Sequence, residues 1–371
     1  MKSQMASLAA LVLLVSAAAA QTPPRILSPE VLPDHRVVFR LRAPQAREVT
    51  VAGDFWLEQS RTGKLAKDAQ GVWSLTTEPL RSDWYSYSFT VDGLHVQDPA
   101  NVHTKPGNTS TESMFAIPGE QASLLDAGSV PHGEVREIYY PSPVIGSLRR
   151  MHVYLPPGYA RGSSRYPVVY LFHGGGEDDR GWVAIGRVNF LLDNLIAQGK
   201  AKPMIVVMPS LFALDYTTAE ERVDENDALM QKSLAGEIIP YVDSHFRTLP
   251  GSANRAAGGL GVGRFSTPDI LWPLFGKFDY IVHTSGGVNP EWMPLLEKKY
   301  PGVIDDPANV RRMKFFIGNG TNDHGLGAAQ SFADELKKRG YRTTLYVTDD
   351  NHGWPGFRRY FAQFAQVAFR P

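Results

Sequence analysis

From residue 135 to its end, the chain alternates short apolar runs with segments of helical periodicity. "YPVVYLFHGGG", "PMIVVMPS" and "KFFIGNG" are apolar over most of their length, as expected for strands that are buried on both faces. Between them, "NFLLDNLIAQG" and "AAQSFADELKKRG" carry apolar residues at the spacing of an amphipathic helix. This alternation predicts a mainly parallel sheet covered by helices on both faces.

The part of the chain before residue 135 has a different pattern. In "DWYSYSFTVDG", large apolar residues alternate with hydroxyl-bearing ones, which indicates a strand with one buried face. With the β-rich runs before it, this strand predicts a small antiparallel β-sandwich. We therefore expect a sandwich over residues 25–118, a linker over 119–134, and a second domain over 135–371.

The first twenty residues are predicted to be a secretory signal peptide, residues 1–20. Lys2 precedes the apolar run "LAALVLLVSAAAA", and Ala18 and Ala20 satisfy the small-residue cleavage rule before Gln21. A membrane anchor is the alternative, but the run is too short to span a bilayer comfortably. The sequence thus predicts a secreted or periplasmic protein.

Composition excludes several classes of chemistry. The 38 basic residues balance the 38 acidic ones, so we expect neither nucleic acid nor an anionic membrane as a partner. The chain has no cysteine, which excludes disulfides, thiol nucleophiles and cysteine-ligated metals. No two of the ten histidines have the H-x-x-x-H spacing of a helical zinc site, and we expect no metal and no cofactor.

The run "GLGVG", residues 259–263, is close to a catalytic motif. The pattern G-x-S-x-G places a nucleophilic serine on a sharp turn between a strand and a helix. Here both outer glycines are present, but Gly261 stands where the serine belongs. Glycine adopts the strained backbone of such a turn at little cost, so the turn would persist without its nucleophile.

A resemblance follows from longer stretches of sequence. "YLPPGY…YPVVYLFHGGGEDDRGW", "ENDALMQKSLAGEIIPYVDSHFRT…NRAAGGLG" and "NGTND…NHGWPGF" resemble the feruloyl and acetyl-xylan esterases. These belong to a broad esterase family that also holds enterochelin esterases and mycolyl transferases. The resemblance covers nearly all of residues 135–371 and implies an α/β-hydrolase fold with a Ser-His-Asp triad.

The N-terminal part has a resemblance of its own. "FRLRAPQAREVTVAGDF…GVWSL…WYSYSFTVDG" is similar to carbohydrate-binding modules of family 48, which have an immunoglobulin-like fold. Such modules precede feruloyl esterase domains that act on arabinoxylan. The pairing implies a polysaccharide or a small aromatic or acyl ester as the ligand.

The resemblance also assigns site residues. The triad histidine matches His352 in "NHGW", and the acid matches Asp323 in "NGTND", with Asp349 and Asp350 as alternative acids. Gly261 occupies the nucleophile position.

The oxyanion hole would be formed by backbone N–H groups on either side of the reacting carbonyl. One comes from Val262, and the other from the "HGGG" loop at Gly174 or Gly175.

Two interpretations of the missing serine remain open. The site has lost its activity, or another group serves: Ser266, Ser285, or a water molecule activated by His352 and Asp323. Arg264, where the family has a small residue, either forms a salt bridge at the helix start or meets an acidic group of a ligand. In relatives, the loop that holds Ser285 lines the cleft.

Two tryptophans are candidates for ligand contact. Trp84 lies on the polar side of its strand, where it either stacks on a sugar ring or packs against the second domain. Trp182, beyond the oxyanion loop, is expected to line the acyl or sugar pocket. The sequence therefore predicts an esterase directed at plant polysaccharide with doubtful catalysis; a non-catalytic polysaccharide- or ester-binding protein is the alternative.

Overall fold

The computed structural model describes residues 25–58, 60–108, 110–260 and 267–370, except for the side chains of residues 220, 267 and 268. The predicted signal peptide lies outside the described residues. So do Gly261, Val262, Arg264 and Ser266.

The N-terminal domain is a sandwich of two antiparallel sheets. One sheet has the strand order β1-β2-β6-β5, and the other has the order β4-β3-β7-β10-β9, with β8 paired to β7. Aromatic side chains fill the space between the sheets, among them Phe39, Tyr87 and Phe115, which are almost completely buried. The strands are β1 (Glu30–Val31), β2 (Val37–Arg42), β3 (Val49–Gly53), β4 (Thr62–Lys64), β5 (Ala66–Lys67), β6 (Val72–Thr76), β7 (Asp83–Val91), β8 (Leu94–Val96), β9 (Thr104–Lys105) and β10 (Glu112–Ile117).

The C-terminal domain is built on one eight-stranded sheet with the order β11-β12-β14-β13-β15-β16-β17-β18. The pairings of β11 with β12 and of β12 with β14 are antiparallel, and all the others are parallel. The strands are β11 (Glu134–Ser142), β12 (Ser147–Leu155), β13 (Val168–Phe172), β14 (Ile205–Pro209), β15 (Arg255–Gly259), β16 (Tyr280–Thr284), β17 (Lys314–Asn322) and β18 (Arg342–Asn351).

Helices cover both faces of this sheet, and each face has its own apolar core. None of the helices in the described ranges is long and apolar enough to cross a membrane. The helices are α1 (Glu120–Leu124), α2 (Gly181–Ala184), α3 (Val188–Ala197), α4 (Tyr216–Glu221), α5 (Val223–Ser233), α6 (Ile239–His245), α7 (Thr267–Leu271), α8 (Met293–Lys299), α9 (Pro307–Arg312), α10 (Leu326–Lys338) and α11 (Trp354–Val367). The predicted fold class, an α/β hydrolase preceded by an immunoglobulin-like sandwich, is confirmed.

Strand β7 shows how the two domains meet. Its large apolar residues face the sandwich core as predicted, but Ser86 and Ser88 on the other face are also buried. Helix α11 of the second domain packs against this strand. The sequence predicts an exposed polar face here because local alternation does not reveal a partner that is supplied by a distant segment.

The predicted linker is held against the second domain. It contains α1, and Leu125 just after this helix is fully buried. The Asn194 side chain on α3 donates hydrogen bonds to the carbonyl oxygens of Leu124 and Asp126, each at 2.9 Å. The connection is therefore docked on the second domain at the end of α1.

Candidate active site

The carboxyl ends of the parallel strands bring the predicted site residues to one edge of the sheet. His173 and the glycine loop follow β13, while Leu260 follows β15. Asp323 comes directly after β17, and His352 directly after β18. The topology thus places residues as distant in sequence as His173 and His352 at one end of the sheet.

Asp323 and His352 are in direct contact. The Nδ1 atom of His352 lies 3.2 and 3.1 Å from the two carboxylate oxygens of Asp323. Burial favours the neutral acid, but hydrogen bonds from His352 and Ser285 outweigh it and hold the pKa of Asp323 below its ordinary value. A charged carboxylate at Nδ1 keeps the proton on that nitrogen, which leaves Nε2 to accept one.

The two alternative acids have other partners. Asp349 is paired with Arg81 at 2.8 Å, and Asp350 is bound by Arg81 and Arg359. Arg81 belongs to the sandwich and Arg359 to α11, so these ion pairs tie the end of β18 to two other elements. Asp323 is therefore the carboxylate that the structure sets behind the histidine.

Ser285 lies beside the acid and is hydrogen-bonded to it. Its hydroxyl donates to Asp323 at 2.5 Å and lies 2.8 Å from Nδ1 of His352, on the acid side of the ring. The residue is fully buried, with a φ of 98°, a left-handed conformation that is unusual for serine. The expectation that Ser285 binds substrate or serves as the nucleophile does not fit this placement, because a nucleophile must reach Nε2.

The glycine loop after β13 is fixed by a buried histidine. His173 donates from Nδ1 to the carbonyl oxygen of Gly174 at 2.7 Å, and its Nε2 accepts from the N–H of Leu211 at 2.9 Å. Burial lowers the pKa of His173, so the ring stays neutral and holds both bonds. Gly174 and Gly175 line a cleft together with His352, as an oxyanion loop would.

Strand β15 needs glycine at its end for a steric reason. Gly259 has a φ of 145°, and a Cβ at this position would collide with the backbone of Phe172 on the neighbouring strand. The outer glycine of the motif is thus explained by close backbone approach. Leu260 lines the cleft, and Gly261 is the next residue in the chain.

The cleft has a volume of about 300 Å³, and both domains form its walls. The sandwich contributes Asp54 and Lys105, which face Glu177 of the glycine loop. Burial raises the pKa of Asp54 to about 6, although its carboxylate accepts a hydrogen bond from the N–H of Ser86. The described lining residues are Asp54, Lys105, Gly174, Gly175, Gly176, Glu177, Leu260, His352, Gly353, Trp354 and Phe357.

The predicted tryptophan contacts are placed elsewhere. The Trp84 indole donates to Asp126 at 2.9 Å, and the Arg187 guanidinium carbon lies 4.2 Å from the centre of its ring. Trp84 therefore packs against the second domain, which is the second of its two predicted roles.

Trp182 is 1% exposed and lies in the core, not in the cleft wall. Its N–H donates to the carbonyl oxygen of Phe172 at 2.8 Å, and its ring packs against Trp354 at 5.2 Å between centroids. Trp182 lies on helix α2, which follows the glycine loop, and faces the buried side of that helix.

The sandwich also holds both loops of the site, which sequence reasoning missed. The side chain of Asn351, next to His352, donates to the carbonyl oxygen of Trp56 at 2.6 Å. The N–H of Asn108 donates to the carbonyl oxygen of Gly176 at 2.9 Å, and its side chain donates to that of Glu177. No local sequence pattern predicts such contacts, because they join segments of two different domains.

Asp323, His324 and His352 together offer donor atoms suited to a metal ion. One ligand atom from each residue lies within 4.8 Å of the others. His324 was not among the site residues predicted from sequence. Its signal was its place immediately after the predicted acid, in "NDH".

Two family models match the chain. Residues 142–364 match an esterase family described as "Putative esterase", and residues 27–106 match carbohydrate-binding module 48, the isoamylase N-terminal domain. The two matched segments correspond to the two domains of the fold.

Similar proteins include an endo-1,4-beta-xylanase/feruloyl esterase of Xylanibacter ruminicola, which is 32% identical over 346 residues. That alignment spans 90% of this chain but only 44% of the relative. Esterase Rv1288 of Mycobacterium tuberculosis is 26% identical over 177 residues, 48% of this chain and 36% of the relative. The chain thus spans less than half the length of these relatives.

Among solved structures, the enterochelin esterase of Shigella flexneri has a TM-score of 0.66 at 17% identity, with 92% of this chain and 95% of that chain covered. A ferulic acid esterase of Anaeromyces mucronatus has a TM-score of 0.53 at 23% identity, with 66% and 93% covered. At these identities the likeness establishes the shared fold.

Proposed function

The chain belongs to the esterase family, and on that premise we propose that it is an exported protein directed at carboxylic esters of plant polysaccharide. One observation carries the proposal: the charged Asp323 lies behind His352, and His352 lines a cleft beside the Gly174–Gly175 loop. The similarity to a xylanase/feruloyl esterase and the family 48 module supports polysaccharide as the carrier of the ester.

The site differs from a complete triad by the absence of one hydroxyl group. A serine hydroxyl would attack the acyl carbon while His352 took its proton, but Gly261 has no hydroxyl to give. We propose that a water molecule replaces it as the nucleophile: His352 accepts one of its protons, its oxygen bonds to the acyl carbon, and the alcohol leaves with a proton from the imidazolium. Loss of a triad serine costs about 10⁶ in rate, so we expect slow turnover.

Charge on the carbonyl oxygen would be stabilised by backbone N–H groups. Gly174 or Gly175 and Val262 are the proposed donors, because a loop without side chains lets the backbone approach the substrate. His173 supports this role by its hydrogen bond to the Gly174 carbonyl oxygen, which helps to fix the loop.

Ester binding without hydrolysis is a second candidate, and the absence of a side chain at position 261 favours it. The polar cleft wall of Asp54, Lys105 and Glu177 would serve sugar hydroxyls in either case. Retention of the acid–histidine pair favours the first candidate.

Two measurements separate the candidates. Hydrolysis of methyl ferulate and p-nitrophenyl acetate is measured for the wild type and for His352→Ala, alongside retention on insoluble xylan. Slow turnover that disappears in His352→Ala supports hydrolysis at this site. Retention without turnover supports binding alone, and turnover that survives the substitution excludes the proposed site as its source.

A further inference from the structure

We propose that Asp323, His324 and His352 form a binding site for one divalent cation of the zinc class. Two imidazole nitrogens and one carboxylate oxygen are a ligand set that zinc accepts in sites with an open fourth position. The three ligand atoms are within 4.8 Å of one another in the structure.

The separations of the carboxylate oxygen from the two histidine nitrogens are close to those of tetrahedral ligands. Zinc binds nitrogen and oxygen at about 2.0–2.1 Å, which places tetrahedral ligand atoms roughly 3.3 Å apart. Oδ1 of Asp323 lies 3.2 Å from Nδ1 of His352 and 3.6 Å from Nδ1 of His324. The two imidazole centroids are 4.6 Å apart, so both rings border the same small space.

The site combines a fixed ligand with accessible ones. The Asp323 carboxylate is buried and accepts hydrogen bonds from the N–H of Gly325 at 2.8 Å and from Ser285. The side chains of His324 and His352 are 53% and 30% exposed, which lets an ion arrive from solvent. Hydrogen bonds that orient a ligating carboxylate are a regular feature of metal sites.

The sequence does not predict this site, because its ligands do not follow a local spacing. His352 is 28 residues after His324, and the topology brings them together at the ends of neighbouring strands β17 and β18. The functional consequence rests on the proposed function: a cation bound at Nδ1 of His352 displaces the proton from that nitrogen, so the neutral ring carries its proton on Nε2 and cannot accept one from water. Metal binding and base catalysis by His352 therefore exclude each other.

The test is a titration of the full chain, without a histidine tag and after treatment with a chelator, by Co²⁺ and Zn²⁺. We expect one Co²⁺ per chain, visible absorption bands of a low-coordinate site, and displacement of Co²⁺ by Zn²⁺. Affinity should fall at least tenfold in His324→Ala and in His324→Gln. It should be unchanged in His95→Ala, a matched substitution of an exposed histidine on β8.

Failure of the wild type to bind Co²⁺, or equal binding by the His324 variants and the wild type, would overturn the proposal. Circular dichroism confirms that each variant is folded, and the two replacements of His324 guard against an effect of one side chain. No ester is present in the titration, so its failure leaves the proposed function intact. Conversely, a protein that hydrolyses none of the esters tested could still bind the ion.

Discussion

Ser285 combines a favourable contact with an unfavourable backbone. Its hydroxyl satisfies the buried Asp323, while its φ of 98° is strained for any residue with a side chain. Ser285→Ala loses the hydrogen bond to a charged group, about 1.5–3 kcal/mol, and keeps the strain. Ser285→Gly loses the same bond but relieves roughly 1–3 kcal/mol of strain.

We therefore expect Ser285→Gly to be more stable than Ser285→Ala in urea denaturation, and Ser285→Ala to be less stable than the wild type. Equal stability of the two variants would show that the backbone at residue 285 is not strained. An Ala variant as stable as the wild type would show that the bond to Asp323 contributes nothing.

His283 makes stability depend on pH. It is buried on β16, its Nδ1 has no hydrogen-bond partner among the described residues, and burial lowers its pKa to about 4. The unfolded chain takes up this proton near pH 6.5, whereas the folded chain does so only near pH 4. Stability is therefore lost as the pH falls between these values, by about 2 kcal/mol from pH 7 to pH 5.

His283→Leu should remove this contribution. The variant's free energy of unfolding should fall less than that of the wild type between pH 7 and pH 5, with His95→Leu as the exposed control. Asp54 titrates in the same range, but it contributes equally to both proteins and cancels in the difference. Parallel pH profiles for His283→Leu and wild type would contradict the argument.

Helix α11 and strand β7 are joined by buried ion pairs. Asp83 lies 2.9 Å from Arg358 and 2.8 Å from Arg359, and Asp83 and Arg358 are fully buried. Removal of one partner leaves buried charge uncompensated, which costs about 3–5 kcal/mol. Asp83→Ala should therefore lower the thermal midpoint strongly, whereas Asp34→Ala, in an exposed pair with Arg36, should change it little.

A small effect of Asp83→Ala would mean that water or another carboxylate compensates the two arginines. Asp350 is a candidate for this role, because it also contacts Arg359.

The strands of the second domain could be predicted from sequence because each is a nearly continuous apolar run between turn residues. The placement of Asp323 and His352 was predicted by resemblance, and the structure brings them together. Trp84 and Trp182 were harder to place, because an indole in a strand or near a loop looks the same in sequence whether it contacts ligand or core. Their environment is set by Asp126, Arg187 and Phe172, which are distant in the chain.

The two domains of the molecule form the candidate active-site cleft together. The sandwich lends Asp54 and Lys105 to the cleft, and Asn108 and Asn351 join loops across the boundary. We expect a single cooperative transition in calorimetry of the full chain, since neither domain can unfold without exposing the Asp83–Arg358 pair. Two well-separated transitions would show that the domains are independent.

We propose that the cleft is esterase machinery that lacks one hydroxyl, a claim that Gly261→Ser tests. Hydrolysis of p-nitrophenyl acetate should rise by several orders of magnitude, because effects within a triad are interdependent. The gain should disappear when His352→Ala is added, and the new side chain should cost roughly 1–3 kcal/mol of stability at the turn. A folded Gly261→Ser variant that stays inert, both alone and with Arg264→Gly, would contradict the claim.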